Sequence, residues 1–592
     1  MGESTVSDLL VERLTAWGVE RVFGYSGDGI DGVLGALRRA GKPEFVQARH
    51  EEAAAFMAVA HAKYAGGAGV CLSTQGPGAV HLLNGLYDAK LDSQPVVAIV
   101  GQQAATVLGS AYQQEIDLQR LFGDVCAQFV QTAFTAEQVP MLIDRAFRAA
   151  LATRGPTCVI LPHDVQSEPA PDPTEHEHGV LVTSPGLRPA RLLPREEDLR
   201  EAADLLSSGE RVAILVGQGA YGAAGEIAEL ADRLGAGVAA SLLGKPVLDE
   251  DLPFHTGVMG HLGTTASAEL MRSCDTLLLL GTNDPWTEFY PAPGQARAVQ
   301  IDIDGRRLGV RYPVEVPLLG DATATLRELL ALVEAAPRKE WREKVEGWVR
   351  RWHEIAGSRA AAAAEPLNPQ HVVRSLSGHL PAGAQVAVDV GSVVYWYARH
   401  LRLPAGVPAH LSSTLASMGC GIPYGLGAKL EAPDRPVVVL SGDGGFQMLG
   451  LAELATVAAR WRDWADPRFV VCVLDNGDLA EVSWEQREME GEPRFAASQD
   501  LPRVPYARYA ELLGLRGIEV TTPGAMTGAW EKALHADRPT LIHAVVDPAI
   551  PLLPPLQPQE KIDQMYAGLE AEDTDLARRA AAHLRRERAD EA

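Results

Sequence analysis

The chain is poor in cysteine, in aromatic residues and in positive charge. Six cysteines stand in 592 residues, Cys71, Cys126, Cys158, Cys274, Cys420 and Cys472, and no two form a Cys-x-x-Cys pair. Several lie in apolar, strand-like runs, so buried free thiols in a reducing compartment are expected rather than a disulfide framework. Lys and Arg number 53 against 77 Asp and Glu, a formal net charge of −24. That balance argues against a general nucleic-acid binder. No apolar run approaches the length of a membrane span, and no basic-plus-apolar signal segment opens the chain. A cytoplasmic protein is the expectation. What is present is ordinary for a soluble globular chain, 46% hydrophobic and 22% charged residues, with length for about three domains.

Helical and strand-like runs alternate from the N-terminus. Helices are expected over 7–17, 30–39, 51–64 and 79–90, and strands over 20–25, 44–48, 69–73 and 95–101. Repeated βα units joined by short glycine turns predict an α/β fold with a doubly wound parallel sheet. Functional groups then belong at the carboxyl ends of strands. Six prolines between 169 and 194 read as a linker. A second α/β unit follows. Its strand over 211–216 runs into Gly217-Gln218-Gly219-Ala220-Tyr221-Gly222 and a helix over 223–234, the setting that a dinucleotide pyrophosphate site requires. The strand over 238–241 carries no acid, which disfavours a nicotinamide cofactor. Gly281-Thr282-Asn283-Asp284 and Asp302 close two later strands, and with them a bound dinucleotide is the preferred reading.

The third unit carries the strongest signal. Val437 to Leu440 reads as a strand that turns at Ser441-Gly442-Asp443-Gly444-Gly445, and Phe469 to Leu474 as a second strand that ends in Asp475-Asn476. Two strand ends thus deliver oxygen-bearing side chains to one sheet edge, with glycines that let the backbone approach a bulky anion. A hard cation bridging to a diphosphate is the natural ligand. The tail beyond 551 is proline-rich, then helical and charged. Its last helix, expected over 576–588, has five arginines but two leucines, so membrane docking is disfavoured against a solvated or subunit-packing helix.

With these pieces in place, the chain resembles the thiamine diphosphate enzymes of the pyruvate oxidase and acetolactate synthase superfamily, from about residue 4 to 550. The resemblance implies three doubly wound parallel-sheet domains: pyrimidine-binding over 1–168, a central FAD-type domain over 195–335 and diphosphate-binding over 368–550. Residues 169–194 and 336–367 would be linkers and 551–592 a tail. It implies a homodimer or homotetramer, with cofactor sites shared between subunits. Arg49-His50-Glu51-Glu52 matches the motif whose acid, Glu51, hydrogen-bonds the cofactor's aminopyrimidine, and a largely apolar pocket for that carboxyl is expected. Tyr25, Thr74, Pro77, His81 and Gln114 match positions on the pyrimidine side. Asp443, Asn476 and the backbone carbonyl of Asp478 would hold Mg²⁺, while Gly391, Ser392, Gly444 and Gly445 would donate to the diphosphate. Met418 would prop the bent cofactor, and the Ala416 carbonyl would accept from its amino group. Met259, Gly260, His261, Leu262, Gly281, Thr282, Asn283, Asp284 and Asp302 fall where oxidase-type relatives contact FAD, and Gly217 and Gly219 fit the same scheme.

Two departures stand out. Asp443 and Asn476 are 33 positions apart, longer than the family's usual spacing, and the excess falls in the polar stretch 461–468. Asp475 replaces the first of two asparagines, which the resemblance tolerates because the second coordinates. Beyond the metal site, Ala480-Glu481-Val482 stands where oxidases carry an aromatic residue between two cofactors. Glu485 matches an acid of the oxygen-using pyruvate oxidases, while Trp484 is one position off a tryptophan of the acetolactate synthases. Two functions stay open. One is decarboxylation of a 2-oxo acid, by default pyruvate, with electrons passing through FAD to oxygen or a quinone. The other is a carboligase or non-oxidative decarboxylase.

Overall fold

The structure is a computed structural model and describes residues 4–171, 182–336 and 338–591. Part of the linker expected at 169–194, namely 172–181, lies outside the described residues.

Three six-stranded parallel sheets are flanked by helices. The first is built from β1 (Arg21–Gly24), β2 (Glu44–Gln47), β3 (Gly69–Ser73), β4 (Val96–Gln102), β5 (Val130–Thr132) and β6 (Pro156–Pro162). The second has β7 (Val212–Val216), β8 (Gly237–Ala240), β9 (His255–Val258), β10 (Thr276–Leu280), β11 (Arg297–Asp302) and β12 (Val316–Leu319). The third has β13 (Gln385–Val388), β14 (Ala409–His410), β15 (Val437–Gly442), β16 (Phe469–Asp475), β17 (Arg516–Val520) and β18 (Thr540–Val545). Strands such as β3, β4, β6 and β16 are buried along their whole length. That is why they read as continuous apolar runs rather than alternating ones: helices cover both faces.

The strand orders explain where function can sit. The first sheet runs β2-β1-β3-β4-β6-β5 and the third β14-β13-β15-β16-β18-β17, the same order. The second runs β12-β11-β10-β7-β8-β9, the arrangement associated with dinucleotide binding. The orders reverse between β1 and β3, between β7 and β10, and between β13 and β15, and the first and third reverse again at their far edge. At such a point the following helices leave toward opposite faces and open a crevice at the carboxyl ends.

The chain folds as two compact units. One comprises Met1–Pro189, His410–Val439 and Gly445–Phe469, the other Ala190–Ala409, Leu440–Gly444 and Val470–Ala592. In the second unit the helix Lys339–Ala360 is more than a tether, because it buries Trp341, Val345 and Trp352 and the Trp341 indole donates to the Val212 carbonyl at 3.0 Å. The last helix, Asp575–Glu591, buries Ala577, Ala580 and Leu584. Its Glu587 and Glu591 bind buried Arg359, so its inner face is used within its own chain. No helix among the described residues is long and apolar enough to cross a membrane, and all six cysteines are buried and free.

The core of the first unit contains a buried ion pair. Lys63 Nζ donates to Asp92 Oδ2 and to the Leu411 carbonyl, both at 2.7 Å. Asp92 also accepts the N–H groups of Ser413 and Thr414, at 3.0 and 2.9 Å. Beside them, Asp88 accepts from the Tyr424 hydroxyl, and burial pushes its carboxyl up to about 6 against the pull of Lys63. The pair thereby fixes the start of the loop that reaches Ala416 and Met418. Because Lys63 and Asp92 are essentially inaccessible, Lys63→Met leaves a buried carboxylate without its cation and is expected to cost about 3–5 kcal/mol. Urea denaturation should show that loss, and Lys63→Met with Asp92→Asn should recover much of it. A neutral single substitution would remove the pair from this role.

Candidate active site

At the reversal in the first sheet, β1 is followed by Tyr25, Asp28 and Gly29, and β3 by Thr74 to Pro77. The Gly29 N–H donates to Thr74 Oγ1 at 3.0 Å, and Thr74 Oγ1 donates to Gln75 Oε1 at 2.8 Å. Gln75 Nε2 in turn donates to Asp28 Oδ1 (3.1 Å) and Gln114 Oε1 (2.9 Å). Thr74, Gln114 and the Gly76-Pro77-Gly78 turn are therefore one assembly. Tyr25 stands 38% exposed, outside these hydrogen bonds. Sequence reasoning missed Asp28 and Gln75, although both follow strand ends, the signal that found Asp443 and Asn476.

Glu51 opens the helix Glu51–Ala65, which His50 caps by accepting the Glu52 N–H at 3.2 Å. Its carboxyl is buried, but the surround is not the largely apolar pocket expected. Glu51 Oε2 lies 2.9 Å from His81 Nδ1, and the rings of His50 and His81 are 4.3 Å apart. The next residue, Glu52, accepts from Asn84 Nδ2, which also donates to Ser417 Oγ at 2.7 Å. That bridge ties the Glu51 helix to the loop with Ala416 and Met418. Ala416 has φ +55°, a left-handed conformation that a residue with a Cβ holds only under constraint. Met418 is half-buried.

The second unit carries the strand ends expected to face the diphosphate. β13 ends at Val388, and Gly391 precedes the helix Ser392–His400 with φ +123°. Only glycine accepts that backbone, and it leaves the first N–H groups of the helix without intrahelical partners. Across the crevice, β15 runs into the helical turn Asp443–Gly445 and then a π-helical stretch, Phe446–Gly450. Asp443 accepts the N–H of Gly444 at 3.0 Å and of Gly477 at 2.7 Å. Gly477 has φ +70°, and a Cβ there would strike Arg503. Burial, reinforced by the neighbouring Asp475 carboxylate, pushes the Asp443 carboxyl up to about 8. Burial also opposes ionisation of Asp475, but bonds from His543 (2.8 Å), from Asp443 and from Arg503 (2.7 Å) hold it below the usual range.

Asn476 Oδ1 accepts the Asp478 N–H at 2.9 Å. The Asp478 carboxylate is occupied by Arg494 (2.8 Å) and Ser483 (2.9 Å). Its carbonyl takes no backbone hydrogen bond among the described residues. One carboxylate, one amide oxygen and one free carbonyl form an all-oxygen donor set suited to a hard cation such as Mg²⁺.

The third cluster lies at the β7/β10 reversal of the second sheet. Gly217 and Gly219 are there, in the expected strand–turn–helix setting, with the helix Ala224–Leu234 following. Their missing side chains have a packing cause: a Cβ on either would overlap the backbone of Gly281 or Thr282. Thr282 Oγ1 and Asn283 Oδ1 are buried without a partner, and burial pushes Asp284 up to about 7. Asp302 is buried and accepts the Asp304 N–H at 2.9 Å. Met259 is buried, and Gly260 is covered by Trp286, whose ring stacks on His261 at 5.2 Å. The carbonyls of His261 and Leu262 accept from Arg399. Burial, then Arg399, pushes His261 down to about 4.

The helix Ala480–Glu490 puts Glu481, Glu485 and Glu488 on one face. Burial pushes Glu481 and Glu488 up to about 7, with Glu485 adding to both. Glu488 lies 3.8 Å from His261, and all three acids act electrostatically on buried Tyr395. Trp484 is buried beneath Arg487, a core residue. The replacement for the expected aromatic is therefore a row of acids beside the His261 loop.

Fold and sites together define an α/β protein with crevices at the strand ends of three parallel sheets, and the comparisons with known proteins give its class. Residues 4–121 match the thiamine pyrophosphate enzyme N-terminal TPP binding domain, 199–329 the central domain and 389–544 the C-terminal TPP binding domain. A putative thiamine pyrophosphate-containing protein of Bacillus subtilis, YdaP, is 36% identical over 93% of each chain. A probable acetolactate synthase large subunit of Methanocaldococcus jannaschii is 31% identical over 93% of each. The pyruvate oxidase of Lactiplantibacillus plantarum is 30% identical over 93% of this chain and 89% of its own. The chain belongs to the thiamine pyrophosphate enzymes.

Removing the Asp443 carboxylate should break the metal–diphosphate clamp expected there. Asp443→Ala is expected to weaken Mg²⁺-dependent thiamine diphosphate binding by more than about 100-fold, beyond the cost of losing an outer-shell partner. Isothermal titration with and without Mg²⁺ measures it, and unchanged affinity would place the cation elsewhere.

Proposed function

We propose that this protein decarboxylates a 2-oxo acid, pyruvate by default, with thiamine diphosphate and Mg²⁺, and passes the electrons through FAD to oxygen or a quinone. Thiamine diphosphate supplies a nucleophilic carbon and an electron sink when bound, and FAD a two-electron acceptor. Asp443, Asn476 and the Asp478 carbonyl would hold Mg²⁺, with the donors at Gly391, Ser392, Gly444 and Gly445 turned to the diphosphate. Glu51, steadied by His81, would exchange a proton with the aminopyrimidine ring, with Tyr25, Thr74, Pro77 and Gln114 beside it. Ala416 would offer its carbonyl to the amino group, and Met418 would set the cofactor's bend. A homodimer or homotetramer would let one subunit's Glu51 serve another's diphosphate site.

The observation that carries the flavin is the β7/β10 crevice, where buried Thr282 and Asn283 oxygens lack partners inside a sheet of dinucleotide-binding order. Such orphaned polar atoms call for a ligand. The resemblance to a pyruvate oxidase supports the redox reading. The second reading, a carboligase or non-oxidative decarboxylase, is favoured by Glu481 in place of an aromatic relay and by resemblance to an acetolactate synthase. Adding pyruvate without oxygen to the purified protein separates them. Loss of the flavin's visible absorbance is expected, and Glu51→Gln should keep its cofactors and show no such loss. Acetolactate or an aldehyde formed with the flavin still oxidised would overturn the redox reading.

Glu481 gives a pH signature. Its carboxyl, raised to about 7 by burial and Glu485, is neutral below that pH and anionic above it. An anionic 2-oxo acid is then repelled, so KM is expected to rise roughly tenfold as pH passes 7. Glu481→Gln should flatten this rise, and an identical profile would remove Glu481 from the substrate's surroundings.

A further inference from the structure

We infer that the second unit holds a built site for one small inorganic anion of chloride size, where β9 meets the helices Lys339–Ala360, Pro369–Leu376 and Ser392–His400. A cavity of about 20 Å³ lies there, lined by Glu250, His255, His353, Arg374, Arg399 and Arg402 among others. That is room for one ion or one water, too little for a nucleotide or an organic acid.

The wall holds three guanidinium groups and one acid, and the acid is already spent. Glu250 binds Lys245 Nζ and accepts the Leu403 N–H at 2.7 Å. Arg402 pairs with exposed Asp251, which leaves its Nε buried without an acceptor. Arg399 donates to the carbonyls of Gly263 (2.9 Å), His261 (3.0 Å) and Leu262 (3.2 Å). Those dipoles solvate the guanidinium but do not cancel its charge. The half-buried Arg374 side chain makes no hydrogen bond or ion pair among the described residues, and burial alone lowers its pKa. The acids beyond the wall, Glu587 and Glu591, are bound to Arg359.

His255 supplies the independent sign of a ligand. It is 4% exposed, lines the cavity, and its Nε2 has no partner among the described residues. Burial, then Lys245, drives this imidazole down to about 3, and His353 is lowered by burial and by Arg374. The histidines are thus neutral hydrogen-bonding groups in a positive field. A buried cation without a counter-charge is strongly disfavoured. A water would satisfy His255 but bring no counter-charge to Arg399, which is buried, or to half-buried Arg374. A monatomic anion satisfies both and demands no particular direction of approach. The site does not depend on the redox chemistry proposed above.

Thermal unfolding of the full protein tests it in sodium chloride against sodium gluconate at equal ionic strength. A saturable rise in Tm of about 2 °C or more in chloride is expected, as for any ligand of the folded state. Arg374→Met, which keeps the aliphatic stem, should lose the chloride effect and be at least as stable as the parent in gluconate. No rise in the parent, or an equal rise in the variant, would overturn the site. Should the variant fail to fold, crystals of the unsubstituted protein in sodium bromide decide. An anomalous peak beside His255 and Arg374 supports the anion, and its absence there refutes it.

Discussion

Two carboxyl groups at the ends of adjacent strands set the terms for the diphosphate side of this protein. Asp443 follows β15 and Asp475 closes β16, and the pair is largely buried. Both cannot ionise there without a compensating charge. The structure settles which one does. Asp475 is held ionised by His543 and Arg503, so Asp443 is left either to keep a proton or to meet a cation. The Gly477 N–H reaches across to Asp443, and the positive φ of Gly477 leaves space for Arg503. The turn, the acid pair and the oxygens around Asn476 are therefore one solution to one electrostatic problem.

Much of this was legible in the sequence because parallel sheets concentrate chemistry at strand ends. One order reversal in each sheet falls beside Tyr25 and Thr74, beside Gly217 and Gly281, or beside Gly391 and Asp443. Each place announces itself as an apolar run followed by glycine and an oxygen-bearing residue. Partners distant in sequence left no such mark. His81 on Glu51, Arg399 on the His261 carbonyls, and Lys63 on Asp92 and Leu411 join residues that no local spacing relates. The single helix expected over 79–90 is two, Pro77–His81 and Leu83–Leu91. Periodicity carries across such a break because the side chains keep nearly the same phase.

The glycine motif of the second sheet shows how a glycine run can have a physical cause other than the one its spacing suggests. Gly217-Gln218-Gly219 was expected to leave room for a pyrophosphate. Instead the room is filled by the backbone of Gly281 and Thr282, packed against it. The glycines bring two strand ends together, and the orphaned oxygens of Thr282 and Asn283 that result are what ask for a ligand. A glycine run alone thus reports close packing. The polar atoms the packing leaves bare are the better sign of a ligand.

Asp475 was expected to be a harmless replacement for an asparagine that does not coordinate. The surroundings argue for more. An amide in this place would need neither His543 nor Arg503, whereas a carboxylate beside Asp443 needs both. Arg503 in turn occupies the space that only a glycine at 477 leaves open, and His543 lies on β18, the neighbour of β16. The acid therefore brings a matched set of cation, imidazole and glycine drawn from three parts of the chain. It adds negative charge next to the three oxygens available to a cation, and so strengthens the demand for one. A position that looked permissive in the sequence is, in the folded protein, tied to partners from three parts of the chain.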